Sequence, residues 1–361
     1  MKMKKIVCSL MISVLCFMTA ISGVSAASYD TSKIDTAYSK VIEYYKNNSN
    51  LDNADKILAV ESLGLEAESN QFDTSSADLS STSLSKKIVT EVLLGIDPTE
   101  DKETLESQID ENGNVEGSWG ASSDIWTLYA LYATSSEKTN LLADKLNTDL
   151  ASSSVCGYEW GGVYYADYDT TGWVIEGLAV VNKEKYATTI NKAIDYIKSN
   201  TTVTTTGWIT TDNVDTQSQV LEGMFAYDTN SLLNDSYTIH PIDCLLNTQL
   251  SDGSFPSGYN AEYTTAEVAK TLGTYKNGSV FEKAKKAYDK MMNPEQPDNT
   301  KPAQPTDTKK DSQSTNKVET TNQKTTSVKT GDETNVVIFV SLSMVSGGLF
   351  LVLRKEYERV H

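Results

Sequence analysis

Histidine is almost missing from this chain. Of two in 361 residues, one is the C-terminal His361, so His240 stands alone in the body of the protein and imidazole-based chemistry has a single candidate. Cysteine is as scarce: Cys8 and Cys16 fall in an apolar N-terminal run, leaving Cys156 and Cys244, whose pairing in an exported protein the sequence leaves open. Basic residues are outnumbered, 31 against 49 acidic, for a net charge of −18. Residues 27–292 alone carry −21 by count. Such a surface repels nucleic acid and anionic polymers, which excludes a DNA or RNA partner. There is no nucleophile elbow, no phosphate-cradling glycine loop and no Ser/His/Asp set, and no segment alternates convincingly as a strand.

What is present is a recurring glycine-aromatic turn followed by an amphipathic helix. It occurs at Ser118-Trp119-Gly120, Trp160-Gly161-Gly162, Gly207-Trp208 and Gly253-Ser254-Phe255, with Gln71-Phe72 as a version without glycine. The aromatics are 47, 41, 48 and 47 residues apart, a period that belongs to arrays of helical hairpins. One hairpin cannot bury its apolar face alone, so neighbours must stack. Glycine supplies positive φ in the turn, and the aromatic is expected to pack beneath the next hairpin. Helical periodicity predicts twelve helices, near 33–46, 53–66, 83–96, 100–110, 123–135, 138–150, 169–182, 184–199, 215–227, 238–250, 263–276 and 279–291. Asp124, Asp169 and Asp215, with Thr264 in the matching place, fall where helices begin and are expected to cap them.

The two ends speak of location. Residues 1–26 combine early lysines, an apolar run from Ile6 to Ile21 and a small-residue exit at Val24-Ser25-Ala26, the pattern of a secretory signal cut between Ala26 and Ala27. Val336 to Leu353 is apolar, long enough for one membrane helix, and followed by Arg354, Lys355 and Arg359. Just before it stands Ser327-Val328-Lys329-Thr330-Gly331. The tract from Asn293 to Lys329 is rich in Pro, Thr, Ser, Gln and Lys and cannot support a core. Extended at about 3.3–3.6 Å per residue, it would reach on the order of 120 Å. The expected organisation is a signal peptide (1–26), a helical domain (27–292), a disordered linker (293–326) and a C-terminal anchor segment (327–361).

The C-terminal tripartite pattern resembles the sorting signal of Gram-positive surface proteins. The resemblance implies that a sortase cuts between Thr330 and Gly331 and joins Thr330 to peptidoglycan, with Ser327 and Val328 standing where the family has Leu-Pro. A plain single-span anchor is the alternative. The helical repeats resemble the α/α-toroid superfamily of terpene cyclases, protein prenyltransferases and the helical domain of cobalamin carriers. Ser83 to Glu100, Glu116 to Tyr132, Tyr158 to Val181, Thr206 to Tyr227 and Asn247 to Tyr275 carry that likeness, and Gln249-Leu250-Ser251-Asp252-Gly253-Ser254-Phe255 is its best single stretch. It implies an all-α fold, six hairpins closed into a ring.

The family's chemistry does not transfer intact. Asp167-Tyr168-Asp169-Thr170-Thr171 is similar to the Asp-x-Asp-Asp acid of terpene cyclases, but Thr170 replaces the last Asp, leaving Asp167 and Asp169 as weak catalytic candidates. His240-Pro241-Ile242-Asp243-Cys244 gathers zinc-ligand types at a spacing unlike the prenyltransferases', so neither metal nor cofactor is expected. Asp110 to Glu116 alternates oxygen ligands but lacks a bidentate Glu at loop position twelve, as a simple polar loop would.

Aromatics near the hairpin turns are the remaining clue. Trp126, Trp160, Tyr164, Tyr165, Tyr168, Trp173 and Trp208, with the acids Glu159, Glu176, Glu222 and Glu262, could line a concave site for a sugar or another amphipathic ring system. The expectation is a cell-wall-displayed, non-catalytic binding or adhesion protein whose ligand is a small molecule, glycan or protein. Its alternatives are a degenerate terpenoid cyclase or prenyltransferase-like enzyme, or a glycan-acting hydrolase. Mass spectrometry of wall digests should find Thr330 joined to peptidoglycan; mature protein that retains Val336 to Leu353 would contradict sorting.

Overall fold

The computed structural model describes residues 28–68, 80–204, 207–208, 214–257 and 259–294. The signal segment, linker, sorting pattern and apolar C-terminal run lie outside them, as do Gln71 and Phe72. Among the described residues the structure is mostly helical, and no helix is long and apolar enough to cross a membrane. In chain order the helices are α1 (Ser32–Asn47), α2 (Ala54–Ser62), α3 (Ser81–Leu93), α4 (Thr99–Ser107), α5 (Ala121–Ala133), α6 (Thr139–Ser153), α7 (Tyr168–Asn200), α8 (Val214–Asn234), α9 (Pro241–Leu246), α10 (Ala261–Asn277) and α11 (Val280–Met292).

Two long helices each combine an inner and an outer limb. α7 bends at Asn182 (φ −168°, ψ 89°) and α8 at Asp228 (φ −156°, ψ 89°). At each bend the side-chain oxygen accepts the amide three residues on, from Lys185 and Ser231 at 3.0 Å, so one Asx residue closes the first limb and caps the second. The sequence pattern places the α7 break at this position. Pro241 opens α9 as its first residue, with the His240 ring accepting the Ile242 amide.

Packing runs in a cycle. α2 lies against α3, α3 against α5, α5 against α7, α7 against α8, α8 against α10, and α10 returns to α2. Five of these helices run in the same direction: Trp126 and Tyr129 of α5 meet Trp173 and Glu176 of α7, Gly172 and Ile175 of α7 lie beside Gln219 and Gly223 of α8, Gln219 and Glu222 of α8 meet Tyr263 and Thr274 of α10, and Lys56 of α2 pairs with Glu262 of α10 at 2.7 Å while Asn277 donates to the Ser62 carbonyl at 2.7 Å. Glycines set the spacing between these helices. A Cβ on Gly273 would stand 2.5 Å from the Ser62 carbonyl, and one on Gly223 would run into the Gly172 carbonyl, so α10 meets α2 and α8 meets α7 backbone to backbone. α11 packs on α3, α5, α2 and α10, and its Lys283 donates to the Glu61 carbonyl at the C-terminal end of α2.

Three features depart from the sequence expectations. Gly157–Trp160 and Val163–Ala166 form an antiparallel hairpin, β1 and β2. Its turn residues Gly161 and Gly162 both have positive φ (59° and 77°), the mirror-image turn that matches strand twist, so the Gly-Gly pair makes a hairpin rather than only a helix entry. Second, Asp124, Asp169 and Asp215 do not cap. They sit inside the first turns, while Asp167 caps α7 and Asn260 caps α10. Third, Trp119 is 87 % exposed, whereas Trp208 and Phe255 are buried as the repeat requires. Cys156 and Cys244 are free thiols, that of Cys244 donating to the Thr204 carbonyl at 2.6 Å.

Gly273→Ala should destabilise the domain by about 1–3 kcal/mol in urea denaturation despite the higher helix propensity of alanine, because overpacking against the Ser62 carbonyl has no flexible side chain to yield. Unchanged stability would mean that α10 and α2 do not meet this closely.

Candidate functional site

The inner helices aim polar side chains at a common interior line. α10 presents Tyr263, Glu267, Lys270 and Thr274 at steps of three and four, a single helix face; α8 does so with Asp215, Gln219 and Glu222, and α7 with Asp169, Trp173 and Glu176. These groups meet around one ammonium. Lys270 Nζ lies 3.0 Å from Glu267 and 3.8 Å from Glu222, and 5.6 Å from the centre of the Trp126 ring. Glu176 accepts from the Tyr129 hydroxyl at 3.0 Å and from Ser279 at 2.7 Å; Gln219 donates to Glu267 at 3.1 Å. The three glutamates and the lysine are essentially sealed from solvent.

Burial drives the electrostatics. It pushes Glu222 well above the usual carboxylate range, helped by Glu176 and Glu267 and opposed by Lys270; it raises Glu176 as well, against the Ser279 hydrogen bond and Lys270. Burial alone would lower the Lys270 amine, but Glu222, Glu267 and Glu176 more than offset that and leave it above its ordinary value.

Toward the N-terminal ends of the inner helices the same line becomes accessible. Asp169, Trp173, Asp215 and Tyr263 are half-buried there. Trp126 and Trp173 meet edge to face at 5.7 Å, and Lys86, paired with Asp55 at 2.9 Å, lies 4.3 Å from the centre of the Trp126 ring. Burial, with the charges of Asp167, Asp215 and Glu267, raises Asp169 to about 7 against a hydrogen bond from Thr216. Asp215 rises to about 6, chiefly by burial, against one from Thr264. At the other end the first turn of α11 enters the interior, where Phe281 stacks on Tyr129 with ring centres 3.6 Å apart. The result is a sealed charged network with half-buried aromatic and acidic side chains at one end, and a depression of about 620 Å³ edged by Thr274, Ser279 and Glu282 at the other.

Several sequence candidates converge here: Trp126, Trp173, Glu176 and Glu222, with Asp169 at the edge. Asp167 is occupied with the Thr170 amide and hydroxyl at 3.0 and 2.7 Å. Glu159, Tyr164 and Tyr165 belong to the hairpin, as does Trp160, of which only the backbone is described. Tyr168 opens α7 half-buried. Trp208 is 2 % exposed with its indole N–H on Thr201 at 3.0 Å. Glu262 is taken up at the surface by Lys56. Sequence reasoning passed over Glu267, Lys270, Tyr263 and Gln219. The signal was a Glu and a Lys three apart within an otherwise apolar helix face.

Other candidates resolve locally. His240 accepts the Ile242 amide through Nδ1 and places Nε2 3.2 Å from the Leu232 carbonyl, the neutral tautomer, with burial lowering its pKa. Asp243 accepts from Tyr29 and Lys33 at 2.7 and 2.8 Å. These groups edge a surface depression of about 570 Å³, and among the described residues no three His, Cys, Asp or Glu side chains are arranged to hold a metal ion. Asp110 accepts from the amides of Asn112 and Asn114 and from the Asn114 side chain, each at 2.8 Å, which closes that loop on itself. Compared with known proteins, the chain matches no family model, no curated protein and no solved structure.

Asp169, Asp215 and Glu91, the last also raised to about 7 by burial and by Asp101, hold more protons folded than unfolded. Their contribution is complete below an unfolded carboxyl pKa of about 4 and is lost as pH rises through 6–7. The domain should therefore be more stable at pH 5 than at pH 8, by on the order of 2 kcal/mol in urea melts, and Asp169→Asn should flatten the difference. A midpoint equal or higher at pH 8 would contradict these environments.

Proposed function

We propose that residues 27–292 form an α/α toroid, displayed outside the cell through the C-terminal sorting pattern, that captures a ligand at the N-terminal mouth of its inner helices without transforming it. The observation that carries this reading is the partial exposure of Asp169, Trp173, Asp215 and Tyr263 at the N-terminal ends of the inner helices, next to the sealed Glu176/Glu222/Glu267/Lys270 network. Aromatic faces bury the flat side of a ring system, while carboxyl groups bond its hydroxyl or amide hydrogens. The packing cycle of α2, α3, α5, α7, α8 and α10 supports the toroid. Sortase and peptidoglycan are then the partners of the C-terminus, and the ligand is a small molecule or glycan.

The network is built for rigidity. Each of its carboxylates is held by a hydroxyl, an amide or Lys270 and sealed from solvent. One observation favours a second reading. Asp169, half-buried and protonated to about pH 7, has the environment of a general acid, with Asp215 in the next helix as its companion; a glycan-acting hydrolase would use such a pair.

Thermal-shift screening and calorimetry of residues 27–292 against oligosaccharides, cobamides and polyprenols should yield a ligand that is recovered unchanged. Trp173→Ala should weaken it at least tenfold, or about 1.4 kcal/mol, and Asp169→Asn should leave turnover absent. Product formation abolished in Asp169→Asn would replace binding by catalysis.

A further inference from the structure

We propose that α11 is a removable stopper: the chain's own last helix closes the C-terminal end of the packing cycle and undocks without unfolding it. The cycle does not need α11 in order to close. α10 returns to α2 directly, through the close approach of Gly273 to the Ser62 carbonyl, the Asn277 bond to that same carbonyl and the pairing of Lys56 with Glu262. α11 follows that closure in the chain and is joined to α10 by Gly278 and Ser279 alone, with Gly278 at φ 84°, a conformation that glycine takes without strain.

What α11 covers is the charged network. Ser279 donates to Glu176 at 2.7 Å, Phe281 stacks on Tyr129 with ring centres 3.6 Å apart and meets Trp126 edge to face at 6.2 Å, and Lys283 holds both the carboxylate and the carbonyl of Glu61 at 2.6 and 2.9 Å. The depression of about 620 Å³ reaches the outer side of this same turn, so Ser279 lines it on one side and binds Glu176 on the other. Undocking removes the Ser279 bond from Glu176 and the stacked ring from Tyr129, and opens that hydrogen-bonded pair to water.

Energetics make α11 the separable part. Three of its thirteen residues are buried, Val280, Phe281 and Ala284, against eleven of seventeen in α10. Ala287 and Tyr288 add partly buried surface to that face, but the remaining fastenings, Lys283 to Glu61 and Ser135 to Asp289, rest on exposed or half-exposed side chains, whose ion pairs and hydrogen bonds contribute little. An element with few buried apolar contacts opens at a lower free energy than the whole domain. The tract that starts at Asn293 and cannot support a core leads directly out of this helix, so tension on the C-terminus reaches α11 before any member of the cycle.

Hydrogen exchange read by mass spectrometry on the whole chain tests the proposal. Amides of residues 284–291 should exchange at least tenfold faster than those in the middle of α5, α8 and α10. Phe281→Ala should accelerate residues 284–291 at least tenfold further while α8 and α10 keep the parent's rates. Ser279→Ala, a milder change, should act in the same direction, and the ranking in the parent decides the matter if the Phe281→Ala chain does not fold. No ligand enters the measurement, so failure of the N-terminal site leaves this result standing and failure here leaves that site untouched. Exchange of residues 284–291 no faster than that of the cycle, or equal acceleration of α8 and α10 in either variant, would make α11 one cooperative unit with the cycle and overturn the proposal.

Discussion

Lys270 has to be neutralised where it stands, and that requirement ties three helices together. An ammonium moved out of water costs several kcal/mol unless carboxylates and hydrogen bonds close around it. Here Glu267 comes from its own helix α10, Glu222 from α8, and Glu176 of α7 adds its charge while held by Tyr129 and Ser279. Apolar helix faces tolerate sliding by a fraction of a turn; this network does not, since a displacement would strand a buried charge. It therefore fixes the axial register of α7, α8 and α10, and through Ser279 it also fixes how far the first turn of α11 enters the interior.

Around that network a repeated device joins turn to helix. The Trp119 amide donates to Ser123, the Cys156 amide to Thr171 and the Phe255 amide to Thr265, at 3.2, 2.9 and 2.9 Å. In each case a hydroxyl from the first turn of an inner helix satisfies a backbone donor of the turn that leads into it; the Cys156 and Phe255 amides would otherwise be buried unpaired. Neighbouring inner helices are then joined sideways by Asp169 to Thr216 and Asp215 to Thr264. In two of the three repeats this is the physical content of the acid-then-helix pattern, the carboxyl reaching the next helix rather than its own free amides; Asp124 instead accepts from Ser118 in its own entry turn and from Lys145 at 2.8 Å.

Much of the architecture was legible because it is periodic. The glycine-aromatic spacing and the 3.6-residue apolar pattern located nearly every described helix, including the break in α7 at Asn182. The hairpin was missed because Trp160-Gly161-Gly162 served two readings, and the repeat reading took precedence over the Gly-Gly turn signal between aromatic-rich flanks. Capping was misjudged by two residues at α7, where Asp167 and Asp169 are equally good caps on paper and only backbone conformation separates them. Site residues were legible where they are aromatic, as with Trp126 and Trp173. Lys270 was not, because a lysine within an amphipathic helix reads as solvated until three carboxylates from other positions are known to face it.

The parallel course of the inner helices bears on which ligand the proposed site would favour. The N-termini of α2, α5, α7, α8 and α10 lie at one end, and Asp55, Asp169 and Asp215, in or next to their first turns, answer the partial positive charges there. For Asp169 and Asp215 desolvation outweighs the dipole, so both lean toward the neutral acid, able to donate as well as accept hydrogen bonds. An anionic ligand gains from the helix ends but deprotonation of the same acids opposes it, and the acidic domain repels its approach. A cation meets the helix dipoles head on. On the proposed reading, an uncharged, hydroxyl-rich ligand avoids both penalties and finds donors and acceptors in the two acids and apolar surface in Trp173 and Tyr263.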